Sequence, residues 1–141
     1  MKYVIDTSVA FKWAIAEADS DKAISLRDDY RNGIHQLLAP DLFPTEIANS
    51  LLVAERRGRI QPGDWPVFFN DILRYCPILQ AAVPNLVRSY EIAALIQASI
   101  YDSLYIALAE SESCQLVTAD DKLFRNAQPH FAFVIQLASM P

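Results

Sequence analysis

Lys2-Tyr3-Val4-Ile5-Asp6-Thr7-Ser8 is the stretch on which the reading of this chain turns. Three apolar residues run directly into an acid and two hydroxyls, the pattern of a buried strand leaving a sheet. Thr7 and Ser8 are helix-capping types, because their side-chain oxygens accept backbone N–H groups left without partners at a helix start. A second stretch repeats the arrangement, with Leu116-Val117-Thr118-Ala119 reading as a strand that gives way to Asp120. Two strands that each run out into an acid point to one edge of one sheet.

Working outward, Phe131 to Leu137 is apolar and β-branched enough for a third strand. Leu37 to Ala39 and Ile78 to Val83 carry weaker strand patterns. Helical patterns lie between them, the first from Asp19 to Arg31, stopping at Asn32-Gly33. The next runs from Pro44 to Arg57, with proline near its start and Gly58 at its end. Trp65, Phe68, Phe69, Ile72 and Leu73 form one helical stripe after Pro62-Gly63. A core or helix-pair contact explains that stripe most simply, and a self-association or partner surface is the alternative. Further helices are expected over Asn85 to Gln97, Tyr101 to Ser113 and Lys122 to Ala127. With no linker, repeat or low-complexity segment, residues 1–141 read as one domain. The alternation predicts an α/β fold, a three-layer α/β/α sandwich around a mainly parallel sheet. Sites in such sheets form beyond the carboxyl ends of the strands, where Asp6 and Asp120 fall.

Composition narrows the function classes. Apolar residues make up 52% and charged ones 21% of the 141, a balance that excludes a disordered chain. No apolar run approaches the ~18 residues of a membrane span. Only three apolar residues precede Asp6, so no secretory segment is expected. Cys76 and Cys114 have no disulfide or metal spacing, and they read as buried thiols in a cytoplasmic protein. A net charge of −5 means that attraction to a nucleic acid must come from a local basic patch. The densest patch is Arg56-Arg57-Gly58-Arg59, which also suits the last turn of a helix.

The candidate chemistry rests on Asp6, Glu46, Asp102 and Asp120. Each alone has a structural explanation as a cap or a first-turn acid. Together they are harder to explain so. Glu46 and Asp102 open strongly apolar helices that draw their first turns toward the core, and a buried carboxylate needs a partner or a cation. Oxygen-only ligation suits Mg²⁺ or Mn²⁺ rather than zinc, and the isolated His35 and His130 offer no zinc constellation. A phosphoaspartate phosphatase needs an acid where Ser8 stands. A receiver-type phosphoacceptor needs an acid near Ile5 and a lysine ending a late strand. Three glycines supply neither a Walker loop nor a dinucleotide turn. Metal-dependent hydrolysis is left as the main enzymatic option.

Val4 to Trp13, Leu38-Ala39-Pro40-Asp41-Leu42, Glu46-Ile47-Ala48-Asn49, Tyr101 to Glu110 and Leu116 to Asp120 occur in this order over nearly the whole chain. In order, spacing and chain length they resemble the PIN domain ribonucleases, specifically the VapC-type toxins of toxin–antitoxin pairs. The resemblance implies a parallel sheet of about five strands and an acidic cluster of Asp6, Glu46, Asp102 and Asp120 that binds Mg²⁺ or Mn²⁺. It further implies hydrolysis of RNA phosphodiesters, a homodimer and a cognate antitoxin that blocks the acidic pocket. Thr7, Ser8 and Thr118 match positions that orient an acid or water. Asn49 is placed to support Glu46 from one turn away. Lys12, Arg56, Arg57 and Arg59 are candidates for RNA-backbone contacts, Lys12 being one helical turn from Ser8. Two features depart from the pattern. Gln97-Ala98-Ser99-Ile100 lacks the glycine common before the third acid, and Asp121 directly follows Asp120. Asp120 fits the Thr-x-Asp spacing, which leaves Asp121 as an outer or solvent group. The competing functions are an RNA-processing or structure-specific nuclease without a toxin role, and a non-catalytic PIN-like binding module.

Overall fold

Strands buried on both faces of a parallel sheet need near-continuous apolar runs, and five segments supply or approach them. The computed structural model describes residues 1–141. It contains β1 (Lys2–Ile5), β2 (Gln36–Pro40), β3 (Ile78–Gln80), β4 (Gln115–Thr118) and β5 (Val134–Gln136). They form one sheet in the order β3-β2-β1-β4-β5, with every pairing parallel. The chain builds from β1 toward β3 on one side and then returns to add β4 and β5 on the other. The switch point therefore lies at β1 and β4, where α/β sheets open a crevice. Ile5 sits opposite Val117 in that pair, so the next residues, Asp6 and Thr118, emerge side by side.

Seven helices flank the sheet: α1 (Thr7–Phe11), α2 (Ser20–Arg31), α3 (Phe43–Arg56), α4 (Trp65–Leu73), α5 (Leu86–Ile96), α6 (Ile100–Ser111) and α7 (Asp121–Ala127). Five residues are too few for a helix to stand alone, so α1 depends on burial of Val9, Ala10 and Phe11. The helix α6 is buried continuously from Ser103 to Ala109, because it packs on β1, β2 and β4 with α5 on its other side. Proline opens α3, and Gly58, at φ +73°, follows its end where a left-handed residue is required.

Several expectations change in detail. The strand expected to Val83 stops at Gln80, and Val83–Asn85 forms a 3-10 turn. The strand expected over Phe131 to Leu137 keeps only Val134–Gln136, while Phe131 and Leu137 still enter the core. The aromatic stripe of α4 is a helix-pair contact. Ile72 is buried, Trp65 stacks on Phe69 at 4.6 Å, and Trp65 Nε1 donates to the Ala48 carbonyl of α3 at 3.1 Å. Both cysteines are half-buried free thiols rather than fully buried ones. No single helix is long and apolar enough to cross a membrane.

The first turn of α3 is seated by Phe43 and Ile47, both with no exposure. Ile47→Ala is expected to lower unfolding stability by about 2–5 kcal/mol through the cavity it leaves. A urea titration reads this, and a loss well under about 1 kcal/mol would show that α3 is not seated as described.

Candidate active site

Asp6 is the acid most enclosed by protein, with 7% of its surface exposed at the end of β1. A buried carboxylate needs hydrogen-bond donors, and two hydroxyls supply them. Ser8 donates to its Oδ1, and Thr118 donates to Oδ2 at 2.6 Å. The direction of both bonds is fixed from behind. Ser8 Oγ accepts the Ala119 N–H at 2.9 Å, and Thr118 Oγ1 accepts the Asp120 N–H at 3.0 Å. Each hydroxyl is thereby left to donate its proton toward Asp6. Burial nevertheless pushes the Asp6 carboxyl up to about 6, with the two hydroxyls pulling it down and the charges of Asp120 and Asp102 pushing it up.

Glu46 lies in the first turn of α3, half-buried, and Tyr105 donates to its Oε1 at 2.7 Å. Burial raises its pKa, the Tyr105 bond lowers it, and the Asp102 charge raises it again. Asp102 occupies the first turn of α6, and its own backbone N–H donates to Ser99 Oγ at 3.0 Å. Burial and then the Asp120 charge raise Asp102, while Ser99 and the charge of Lys122 lower it. Lys122 is thus a cation within electrostatic reach of the quartet. Asp120 is exposed, and its Oδ1 caps α7 by accepting from Leu123 N at 3.1 Å.

The alternatives left open for these acids therefore separate. Only Asp120 caps a helix with its side chain; Ser99, not Asp102, caps α6, and the Asp6 side chain makes no cap bond to α1. Electrostatics links all four: Asp6 feels Asp102 and Asp120, Asp102 feels Asp120, and Glu46 feels Asp102. No three of them converge tightly enough to enclose an ion by themselves.

Other sequence candidates fall in different places. Asn49 is exposed and makes no hydrogen bond to Glu46, so the support expected from it comes from Tyr105 instead. The signal for Tyr105 was present, since it stands three residues after Asp102 on one helical face. Asp121 is exposed and accepts from Gln136 Nε2 at 3.2 Å, away from the quartet's bonds. Thr7, Ser8, Lys12, Asn49, Arg57 and Arg59 line one cleft of about 480 Å³. Arg56 lines a neighbouring groove with Ile60 and Phe68, which Arg59 also borders.

The PIN domain model matches residues 3–128. This chain belongs to the PIN domain family. Among its relatives, VapC ribonuclease Mb0985 of Mycobacterium bovis and Ribonuclease VapC9 of Mycobacterium tuberculosis are each 30% identical over 125 residues. Those alignments cover 89% of this chain and 91% of each relative. The crystal structure of PAE2754 from Pyrobaculum aerophilum superimposes with a TM-score of 0.67 at 26% identity, covering 99% of this chain and 94% of that one. The five-stranded all-parallel sheet between helical layers is thus the PIN architecture.

The raised carboxyl of Asp6 has a consequence for this PIN domain's stability. The native state holds a proton more tightly than the unfolded chain, so the contribution is fully present below the ordinary aspartate range and is lost as pH rises through about 6. In metal-free buffer, the stability of wild type relative to Asp6→Asn should fall between pH 4 and 6.5, by at most about 3 kcal/mol. Paired denaturant titrations measure it, and a difference that stays flat across the window contradicts the burial described.

Proposed function

We propose that this chain is the toxin of a toxin–antitoxin pair, a metal-dependent endoribonuclease that hydrolyses RNA phosphodiester bonds. The observation that carries the reading is the mutual charge of Asp6, Glu46, Asp102 and Asp120 at the switch point of a PIN fold. Relatives named VapC ribonucleases support the choice of RNA and of a toxin role.

The donor set fits a hard divalent cation. It consists of oxygens alone, and neighbouring carboxylate charge raises Asp6, Glu46 and Asp102. An Mg²⁺ ion needs only one or two protein carboxylates and keeps several waters, so it does not require three acids to converge; Mn²⁺ prefers the same ligands. Asp6, Glu46, Asp102 and Asp120 are the residues that would hold it. Bound there, such an ion supplies an activated water and offsets charge on the phosphate oxygens.

This chain's own residues prepare the ground. Ser8 and Thr118 hold Asp6 in one orientation with both oxygens accepting, and Tyr105 holds Glu46 through Oε1. Two rigid elements, β1 and α6, thereby carry acids that need no reordering when substrate arrives. Hydrolysis adds water to phosphorus and breaks the bond to one ribose oxygen. Four acids repel a phosphodiester, so a cation held among them would also ease the placement of the scissile phosphate there.

The reading also includes a cytoplasmic setting, a cognate antitoxin and a second copy of this chain as partners. Val87 and Tyr90 on α5, with Val83 in the 3-10 turn before it, are exposed and provide apolar surface for such a contact.

Asp6→Asn and Asp102→Asn are each expected to lower RNA cleavage by about 10²-fold or more while the circular dichroism spectrum is kept. Wild-type rates in both variants would refute the site. Mg²⁺ or Mn²⁺ should also raise Tm at pH 7.5 by binding the native state. That gain should shrink below about pH 6, where protons compete for Asp6. A scanning calorimeter reads both, and a Tm that ignores metal at every pH counts against the cluster.

A further inference from the structure

Beside the acids lies the cleft that shares Ser8 and Ala119 with the Asp6 bracket. Its character is opposite to theirs. Lys12, Arg57 and Arg59 are the cations on its walls, drawn from the end of α1, the end of α3 and the turn that follows α3. Two of them are tied by one acid, Glu17, that no sequence motif singles out. Glu17 accepts from Lys12 Nζ at 3.3 Å and from Arg59 at 2.5 Å. The Arg59 guanidinium also lies over the Phe11 ring, 5.4 Å from its centroid. Arg57 is exposed and pairs with no acid.

Two long cations 47 positions apart would not share one spot unaided, because they repel and each loses rotamer freedom when fixed. Glu17 meets both conditions at once. It is three-quarters buried, which raises its carboxyl, but hydrogen bonds and charges from Arg59 and Lys12 bring it below the usual glutamate range. The trio keeps one net positive charge, and Arg57 adds a second. In a protein of net charge −5, this is a local field that favours an anion directly beside the carboxylates.

We infer that the cleft holds the RNA phosphate next to the scissile one, with Lys12, Arg57 and Arg59 as its cations and Glu17 as the residue that positions two of them. This rests on the ribonuclease reading and goes further, because it fixes the side on which the strand leaves the acids. It also separates Arg57 from Arg56, which lines only the neighbouring groove, while Arg59 borders both.

The experiment uses the full chain carrying Asp6→Asn in chelator, so that a labelled single-stranded RNA binds without being cut. Anisotropy titrations over a range of salt give affinity and its salt slope. Lys12→Gln, Arg57→Gln and Arg59→Gln should each weaken binding several-fold and reduce the slope by about 0.7. Arg31→Gln, at the far end of α2 and the opposite edge of the sheet, should do neither. Glu17→Ala should weaken binding although it removes a negative charge, and Glu17→Gln, which keeps an acceptor, should recover part of the loss. Thermal melts of each variant establish that it is folded.

Parent-like affinity and slope in both Arg57→Gln and Arg59→Gln overturn the inference. Tighter binding by Glu17→Ala overturns the positioning role, since electrostatics alone predicts that sign. Cleavage by the wild type separates the two levels. If it cuts RNA while the cleft variants bind like the parent, only this inference fails. If it neither cuts nor binds RNA, both fail.

Discussion

A carboxylate placed at the end of a central strand has to be satisfied without water, and the Asp6 bracket is how this fold does it. Burying an unpartnered charge costs several kcal/mol or more, so Asp6 can stay only if both oxygens are met. Ser8 and Thr118 meet them, and each hydroxyl is oriented by a backbone N–H two or fewer residues from Asp120. The bracket therefore stitches residues 6–8 to residues 118–120, closing the carboxyl ends of β1 and β4 against each other. It exists because Ile5 and Val117 are in register one step earlier. Shifting either strand by one residue turns its side chains to the other face and removes the bracket with them.

The other acids hang on the same frame by different means. The helix α6 carries Asp102 and Tyr105 three residues apart, so one buried helix sets both an acid and the donor that holds another acid. Glu46 rides on α3, whose first turn is seated by Phe43 and Ile47. None of the three raised acids can move far without disturbing core contacts. Burial is the main cause that raises their pKa values, and neighbouring carboxylate charge adds to it. Groups held in this way are more often found at working sites than in purely structural networks.

Much of this was legible in the chain. Apolar runs placed all five strands, and proline, glycine and capping residues placed six of the helices. The misses have physical causes. The helix α1 is too short for periodicity to register, and only tertiary burial of Val9 to Phe11 sustains it. The strands over Ile78 to Val83 and Phe131 to Leu137 were overextended because apolar content does not distinguish a strand from the 3-10 turn beside it. At the site, the acids could be listed but not assigned. Whether Asp6 or Asp102 caps a helix depends on side-chain direction, which spacing does not specify. Asn49 was favoured for Glu46 on helical geometry alone, whereas the donor comes from Tyr105, 59 positions away. Glu17 left no local trace, since its importance lies in joining Lys12 to Arg59 across 47 positions.

That join bears on how an acidic protein can handle an anionic substrate. The net charge of −5 is spread over the whole surface, and at physiological salt charges more than about 8 Å apart are largely screened. What a nucleic acid meets at close range is therefore local. On one side of Ser8 stand carboxylates that need a cation, and on the other stand cations that need an anion. A single hydroxyl belongs to both walls, accepting from Ala119 and donating to Asp6 while it faces the cleft. A strand laid across that boundary presents its reacting phosphate to the side where charge must be supplied and its next phosphate to the side where charge is already built in. Binding on the cationic side then falls to residues that take no part in the chemistry, which leaves the acids free to stay poorly neutralised until a metal arrives.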